Sequence, residues 1–153
     1  MDTLDDIYTF FDKQKSIAVA GVSQNPKKFG RIVYDDLKKK GYKLIPINPH
    51  SNKIGDDECI KSITELSKDV DRLIIITPKN KTDVLLYEAS LKEIKYVWIQ
   101  QMSQTKESIT IAKQLNLNVI INQCVFMFAE PVQGIHKFHK GIKRLFGGLP
   151  KYN

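Results

Sequence analysis

Apolar residues along this chain occur either in short continuous runs or at helical spacing. The continuous runs predict five β-strands, buried on both faces, over residues 16–20, 42–48, 71–77, 95–100 and 117–121. Apolar positions three or four residues apart predict α-helices over residues 3–14, 29–40, 81–92 and 105–115, and one helical turn at 62–67. This alternation of strand and helix predicts a parallel sheet with helices on both faces.

The helical spacing also predicts which side chains face the sheet. They are Leu4, Ile7, Phe10 and Phe11 in the first helix, Ile32, Val33 and Leu37 in the second, and Val84, Leu85 and Ala89 in the third. The second strand contains Pro46, which cannot donate a hydrogen bond to a neighbouring strand. We therefore expect one side of that strand to be unpaired near its end.

These elements predict an α/β fold: a three-layer, doubly wound, five-stranded parallel sheet of the Rossmann-like type. We expect the strand order 3-2-1-4-5 and extra helices at both termini. The 153 residues fit a single domain, 1–153, with its core over about 16–124 and a C-terminal helix over about 130–146. In such sheets ligands bind beyond the carboxyl ends of the strands, where the strand order reverses.

The formal net charge of +7 arises from 24 Lys and Arg against 17 Asp and Glu, and it favours anionic partners. No zinc-finger, RNP or helix-turn-helix motif is present, so we expect a small phosphorylated ligand and no nucleic acid. The two cysteines lack metal or disulfide spacing, which fits the reducing cytoplasm. The N-terminus lacks a basic leader, and no apolar run approaches about 18 residues, so no membrane span is expected.

Polar residues follow every predicted strand, and the loop after the first strand contains the most informative ones. Gly21 allows a tight turn and a close backbone approach to phosphate, and Ser23 can donate its hydroxyl. Lys27 and Lys28 add positive charge at the start of the next helix, whose first amides also favour anions. A plain strand-to-helix turn with solvated lysines is the alternative. Because no carboxylate appears at the strand ends before Asp56, we expect an anion pocket without a carboxylate base.

Two common nucleotide motifs are absent from this loop. An NAD site requires G-x-G-x-x-G and an acidic residue about twenty positions later, whereas this chain has G-x-S and its second strand ends in Asn48-Pro49. The Walker sequence G-x-x-x-x-G-K-[ST] does not occur either. The longer loop leaves room for its lysines to meet additional phosphate.

Five segments, IAVAGVSQNPKKFG, GYKLIPINP, IIITP, VWIQ and NQC, resemble in order and spacing the small stand-alone CoA-binding proteins. Those proteins are similar to the CoA-binding domain of the succinyl-CoA synthetase alpha subunit, and the resemblance extends from about Ser16 to Cys124. It implies coenzyme A or an acyl-CoA as the cofactor, with no metal.

The resemblance also implies a set of site residues. The first loop would hold the CoA phosphates, the second loop would flank the adenosine, the third would lie beside the adenine, and the fourth would lie near the pantetheine exit. In that order the residues are Gly21, Val22, Ser23, Asn25, Lys27 and Lys28; Asn48 and Pro49; Thr77 and Pro78; and Gln100. Ser23 departs from the second glycine that dinucleotide loops often contain. No histidine of this chain matches the phosphohistidine motif of the ligase relatives, so the resemblance implies binding and not catalysis.

Other residues leave alternatives open. Cys124 could act as a thiol near the CoA sulfur, or it could be a small buried residue. His136 and His139 lack a third metal ligand, and we expect them on a basic C-terminal helix. The apolar stripe of that helix would pack on the chain's own sheet or in a homodimer, and binding to a membrane surface or a partner protein is the alternative.

We therefore expect non-covalent binding of CoA or an acyl-CoA, without catalysis. The first alternative is an NAD(P)-binding oxidoreductase or nucleotide sensor. The second is a CoA-dependent transferase that uses Cys124.

Overall fold

The computed structural model of the protein describes residues 4–132. Of the helix predicted over about 130–146, only residues 130–132 are described, and they are not helical. His136, His139 and the rest of that helix lie outside the described residues, so those expectations stay predictions.

The β-strands of the described residues include all five that the sequence predicted; the first has the predicted bounds and the other four are slightly shorter. In chain order they are β1 (Ser16–Ala20), β2 (Lys43–Ile47), β3 (Lys53–Ile54), β4 (Asp57–Glu58), β5 (Arg72–Ile75), β6 (Tyr96–Ile99) and β7 (Asn118–Ile120). Five of them form one parallel sheet in the order β2-β1-β5-β6-β7. Val19 of β1 lies level with Pro46 of β2 on one side and with Ile74 of β5 on the other.

The predicted strand order 3-2-1-4-5 is wrong, because the third predicted strand, β5, pairs with β1 and not with β2. The outer side of β2 is unsuitable for a long strand. Pro46 has no amide proton, and the segment around Ile60 bridges this side near its end, so the expectation that it is unpaired there is wrong. The Ile60 amide donates to the Pro46 carbonyl at 3.1 Å, and the Asn48 amide donates to the Ile60 carbonyl at 3.0 Å. The observed order, 2-1-3-4-5 in the predicted numbering, moves the switch point to the gap between β1 and β5.

Four α-helices and two 3-10 turns complete the described residues. The helices are α1 (Leu4–Phe10), α2 (Phe29–Lys39), α3 (Lys79–Leu91) and α4 (Lys106–Gln114), and the 3-10 turns are Ile63–Glu65 and Val125–Met127. The inward positions of α1 are confirmed, as are Val33, Leu37 and Ala89. Ile32 and Val84 are 46% and 57% exposed, so their predicted inward orientation is wrong. In α3 the buried positions are Thr82, Leu86 and Ala89, and Leu85 packs partly buried against the same core.

The sheet is covered on both faces, as predicted. One core cluster joins α1 and α2 to the sheet around Trp98, whose ring centroid lies 5.6 Å from that of Phe10 and 5.9 Å from that of Phe128. The other cluster joins α3 and α4 to the opposite face. Within residues 4–132, no helix has the length and apolar character needed to cross a membrane. The antiparallel hairpin of β3 and β4, which the sequence did not predict, lies between β2 and β5 in the chain.

Candidate functional site

The loop between β1 and α2, residues 21–28, is held by two close backbone approaches. Gly21 has a φ of +99°, and a Cβ atom there would lie 2.4 Å from the Ile76 carbonyl oxygen. A Cβ atom at Gly30 would lie 2.2 Å from the Gly21 carbonyl oxygen. Both positions require glycine, because any side chain would push the β1–α2 loop away from the end of β5 and from α2.

Hydrogen bonds within the β1–α2 loop use two predicted site residues for structure. The Ser23 hydroxyl oxygen accepts from the Asn25 amide at 3.1 Å, and Asn25 Oδ1 accepts from the Lys27 amide at 2.9 Å. Asn48 Nδ2 donates to the Val22 carbonyl at 2.8 Å, which ties the end of β2 to the loop. The side chains of Ser23, Asn25 and Asn48 therefore shape the loop.

A first crevice of about 530 Å³ opens beyond the ends of β1, β2 and β5, against one side of α3. Six of the predicted site residues line it: Gly21, Val22, Ser23, Asn48, Pro49 and Thr77. The lining residues that the sequence reasoning missed are Ala20, Ile47, His50, Lys61, Ser62, Asn80, Lys81, Val84, Leu85 and Glu88.

A second crevice of about 440 Å³ lies on the other side of the same loop, toward the end of β6. It shares Gly21, Ser23 and Thr77 with the first crevice, so the two meet at the switch point. Its other predicted residues are Lys28, Pro78 and Gln100, and the residues that were missed are Phe29, Gly30, Ile76, Gln101, Met102 and Ser103.

Gln100 is only 3% exposed, and its side chain is fixed from behind. Its Oε1 accepts from the Val125 amide at 3.0 Å, which assigns the oxygen to that end of the side-chain amide. The amide nitrogen is then the group that Gln100 can offer to the second crevice. Phe29, Ile76 and Met102 make the surrounding wall largely apolar.

Two helix N-termini without side-chain caps adjoin the crevices. Lys28 occupies the N-cap position of α2 and Pro78 that of α3, and neither makes a side-chain capping hydrogen bond. First-turn amides and the helix dipole attract anions at such ends. Lys28 borders one crevice, and Lys61 and Lys81 border the other, so cationic side chains reinforce this preference.

Thr77, where the two crevices meet, carries a buried hydroxyl without a hydrogen-bond partner in residues 4–132. An unsatisfied buried hydroxyl is costly, and such groups are uncommon in folded proteins. Its position at the meeting point makes Thr77 a candidate contact for a ligand that spans both crevices.

Two predicted site residues do not line either crevice. Asn25 and Lys27 are exposed on the outer side of the β1–α2 loop. Conversely, Glu88 brings a carboxylate to the first crevice, although the strand-end loops themselves carry none. Glu88 was not predicted because it lies in the third turn of α3 and not at the end of a strand. Asn80 and Lys81 could have been found by extending the same search three residues beyond Pro78.

Neither cysteine lies in the wall of a crevice. Cys124 is half-buried at the N-cap of the 3-10 turn Val125–Met127. Cys59 is also half-buried, and burial raises the pKa of its thiol, so its reactive thiolate form is disfavoured. Among residues 4–132, no group of three or more His, Cys, Asp or Glu side chains is arranged to hold a metal ion.

The open parallel sheet, with both crevices at its switch point, defines a Rossmann-like α/β protein. Residues 15–130 match the family model described as the CoA binding domain, and the chain belongs to this family.

The known proteins that resemble this chain are of two kinds, long ligase subunits and proteins of about the same length as this chain. The chain is 31% identical over 127 residues to the alpha subunit of the ADP-forming acetate–CoA ligase II of Pyrococcus furiosus, covering 76% of this chain and 28% of that protein. It is 22% identical over 120 residues to the uncharacterized protein YneT of Bacillus subtilis, covering 78% of this chain and 89% of that protein. Against a solved structure of a conserved hypothetical protein from Pyrococcus furiosus the TM-score is 0.70 and the identity 30%, covering 72% and 96% of the two chains. The chain therefore spans less than a third of its ligase relative, but most of its smaller relatives.

Proposed function

We propose that this protein is a cytoplasmic binder of coenzyme A or an acyl-CoA, which it holds non-covalently and does not convert. The observation that carries the proposal is the meeting of two crevices at Gly21 and Thr77, between two helix N-termini without side-chain caps. Coenzyme A has a matching division into a phosphorylated adenosine, a pyrophosphate and a pantetheine arm. The family membership of residues 15–130 supports the same ligand.

The first crevice suits the adenosine end of the ligand. Pro49, Val84 and Leu85 provide apolar surface for a purine ring, and His50, Lys61 and Lys81 offer groups for a ribose phosphate. The pyrophosphate would then lie at the β1–α2 loop, where the first amides of α2 and Lys28 can neutralise it. In this arrangement Asn48 acts through the Val22 carbonyl that it fixes, and the roles implied for Asn25 and Lys27 stay predictions.

The second crevice suits the pantetheine arm. Its walls at Phe29, Ile76 and Met102 are apolar, and the pinned Gln100 amide can donate to one of the two amide carbonyls of pantetheine. Crevices that combine apolar walls with a few fixed polar groups are typical of small-molecule sites.

The absence of turnover is supported by the placement of the reactive side chains among residues 4–132. Glu88 borders the adenosine side, away from the end where the acyl group would lie. Cys124 does not line the second crevice, and the thiol of Cys59 has a raised pKa. The acetate–CoA ligase activity of the relatives belongs to proteins more than three times as long as the matching region, so we do not extend it to this chain.

Two other functions remain as alternatives. An NAD(P)-binding oxidoreductase or sensor is favoured by the Rossmann-like sheet and by Lys61 near the end of β2, where a 2′-phosphate would lie. It is disfavoured by the missing G-x-G-x-x-G sequence and the missing acid after β2. A CoA transferase that uses Cys124 would need that residue to move into the second crevice.

Titration calorimetry with CoA, 3′-dephospho-CoA, NADP and NAD in separate experiments tests the proposal. We expect CoA to bind most tightly, dephospho-CoA about tenfold more weakly because it lacks one charged contact, and both dinucleotides more weakly still. A preference for NADP over CoA would overturn the proposal. Turnover of an acyl-CoA that is lost in Cys124→Ser would support the transferase instead.

A further inference from the structure

Arg31, in the first turn of α2, lies beside the β1–α2 loop, but its guanidinium is already paired. Arg31 Nε lies 2.9 and 3.0 Å from the two carboxylate oxygens of Asp35, one turn further along the helix. Its Nη1 donates to the Gln24 carbonyl, 3.2 Å away, in the β1–α2 loop. Arg31 does not line either crevice. Asp35 therefore balances the charge of Arg31, and Nη1 holds the backbone of the loop.

The hairpin of β3 and β4 encloses the same guanidinium from the other side. Gly55, in the turn of this hairpin, has a φ of +59°, and a Cβ atom there would lie 3.3 Å from Arg31 Nη2. Gln24 contacts the hairpin as well, since its Nε2 donates to the Lys53 carbonyl at 3.4 Å. Arg31 is thus held between its own helix, the loop and the hairpin.

The hairpin is in turn fixed to α2 through Asp57. Tyr34 Oη donates to Asp57 Oδ2 at 2.8 Å, and Lys38 Nζ lies 2.6 Å from the same oxygen. Burial and the neighbouring Asp57 carboxylate raise the pKa of Tyr34, so the phenol keeps its proton and remains a donor. The hydrogen bond from Lys38 lowers the pKa of Asp57, so this anchor is charged at neutral pH.

We infer that Arg31 is a positioning residue of the proposed coenzyme site, which fixes the β1–α2 loop through the Gln24 carbonyl while the hairpin holds the guanidinium in place. The inference rests on the proposed function. A loop that is ordered before the ligand arrives costs less entropy to bind. Arginine suits this role because its planar fork can serve two acceptors at a fixed geometry, which a lysine ammonium cannot.

The first test compares Arg31→Lys with the wild-type protein in CoA titrations at several salt concentrations. Arg31→Lys keeps the positive charge but loses the fork. We expect about tenfold weaker binding of both CoA and ADP, because both place a pyrophosphate at the loop. The dependence of affinity on salt should stay as in the wild type, since no charged contact to the ligand is removed.

Lys28→Gln is the matched comparison, because Lys28 borders the second crevice and is proposed to contact phosphate directly. This variant should bind more weakly and should also show a shallower salt dependence. An Arg31→Gln variant with the same shallower salt dependence would identify Arg31 as a direct phosphate ligand and would overturn the inference.

Gly55→Ala provides a second variant with the charge of Arg31 unchanged. It places a methyl group against the Arg31 guanidinium and displaces it. We therefore expect CoA affinity to fall about threefold, less than in Arg31→Lys. Hydrogen exchange of the free protein should be faster at residues 21–28 in both Arg31→Lys and Gly55→Ala.

Failure of the wild-type protein to bind CoA would overturn the proposed function itself. The other outcome is that the wild-type protein binds CoA and both variants bind it equally well, with hydrogen exchange at residues 21–28 unchanged. This outcome would overturn only the positioning role of Arg31.

Discussion

Helices α2 and α3 begin without a side-chain cap, whereas α4 begins with a complete capping box. In α4, Thr105 Oγ1 accepts from the Ser108 amide at 2.9 Å, and Ser108 Oγ accepts from the Thr105 amide at 2.6 Å. At the corresponding positions of α2 and α3, Lys28 and Pro78 provide no such acceptor. All three helices follow a strand of the same parallel sheet, so the difference is not imposed by the fold.

The difference follows the position of the crevices. First-turn residues of α2 and α3 line them, but no residue of α4 does. A capping residue typically stabilises a helix by about 1 kcal/mol, so its absence from two helices is a cost to the free protein. We interpret these open ends as groups kept for an anionic ligand, in agreement with the proposed pyrophosphate position.

The largest expected effect comes from a side chain at Gly21, where the β1–α2 loop begins and its backbone lies close to the end of β5. Gly21→Ala would place a methyl group 2.4 Å from the Ile76 carbonyl at a φ of +99°, so the loop must shift. We expect CoA affinity to fall about a hundredfold, as if two charged hydrogen bonds were lost. Calorimetry would measure the affinity, and urea unfolding would measure the accompanying loss of stability.

Gly41→Ala is the matched control for the backbone strain. Gly41 also has a positive φ, +85°, but a Cβ atom there meets nothing within 4 Å, and it lies at the opposite end of α2. This variant should lose about 1 kcal/mol of unfolding free energy without a change in CoA affinity. Equal losses of affinity in both variants would show that Gly21 acts only through overall stability.

The second prediction adds a capping side chain to the start of α2 and removes the one at the start of α4. Lys28→Ser gives α2 a capping hydroxyl, which should raise the unfolding free energy by about 0.5–1 kcal/mol and weaken CoA binding about tenfold. Thr105→Ala removes the cap of α4 and should lower the unfolding free energy by about 1 kcal/mol, with unchanged CoA affinity. Chemical unfolding and calorimetry on the same preparations would measure both quantities.

Lys28→Ala separates the two consequences of removing this lysine. It removes the charge without adding a cap, so it should weaken CoA binding without raising stability. If Lys28→Ser were no more stable than Lys28→Ala, the interpretation of the α2 terminus as open would be contradicted.

The fold class was predictable because it depends on a periodicity that recurs along the whole chain. The strand order was not predictable, because it depends on whether the outer side of β2 can accept another strand. Pro46 indicated that the outer side of β2 is irregular, but the expectation that this side is unpaired near its end was wrong, because the sequence did not show that Ile60 would bridge it. The β3–β4 hairpin was missed because its strands have two residues each and no alternating apolar pattern.

The candidate site was predictable as far as its residues follow strands directly. Gly21, Thr77 and Gln100 are of this kind, and all three line the crevices. Lys61 reaches the first crevice only after the hairpin, and Glu88 only from within α3, so both positions depend on packing. The hydrogen bond from Asn48 to the Val22 carbonyl also depends on packing, because the two residues are 26 positions apart in sequence.

The smallest expected effect concerns how α2 and α4 respond to acid. The cap of α4 consists of hydroxyls, which do not titrate, whereas the hairpin is anchored to α2 by the Asp57 carboxylate. The pKa of Asp57 is lowered in the folded state, so its contribution to stability is complete above the ordinary carboxyl pKa of about 4 and is lost as the pH falls through the lower folded value. Asp57→Asn should therefore reduce the unfolding free energy at pH 7 by less than about 1 kcal/mol, and the difference from the wild type should shrink as the pH is lowered through the folded pKa of Asp57. Urea unfolding of both proteins at pH 7 and at a series of acidic pH values measures this difference, and one that persisted unchanged into acid would show that Asp57 holds the hairpin by shape and not by charge.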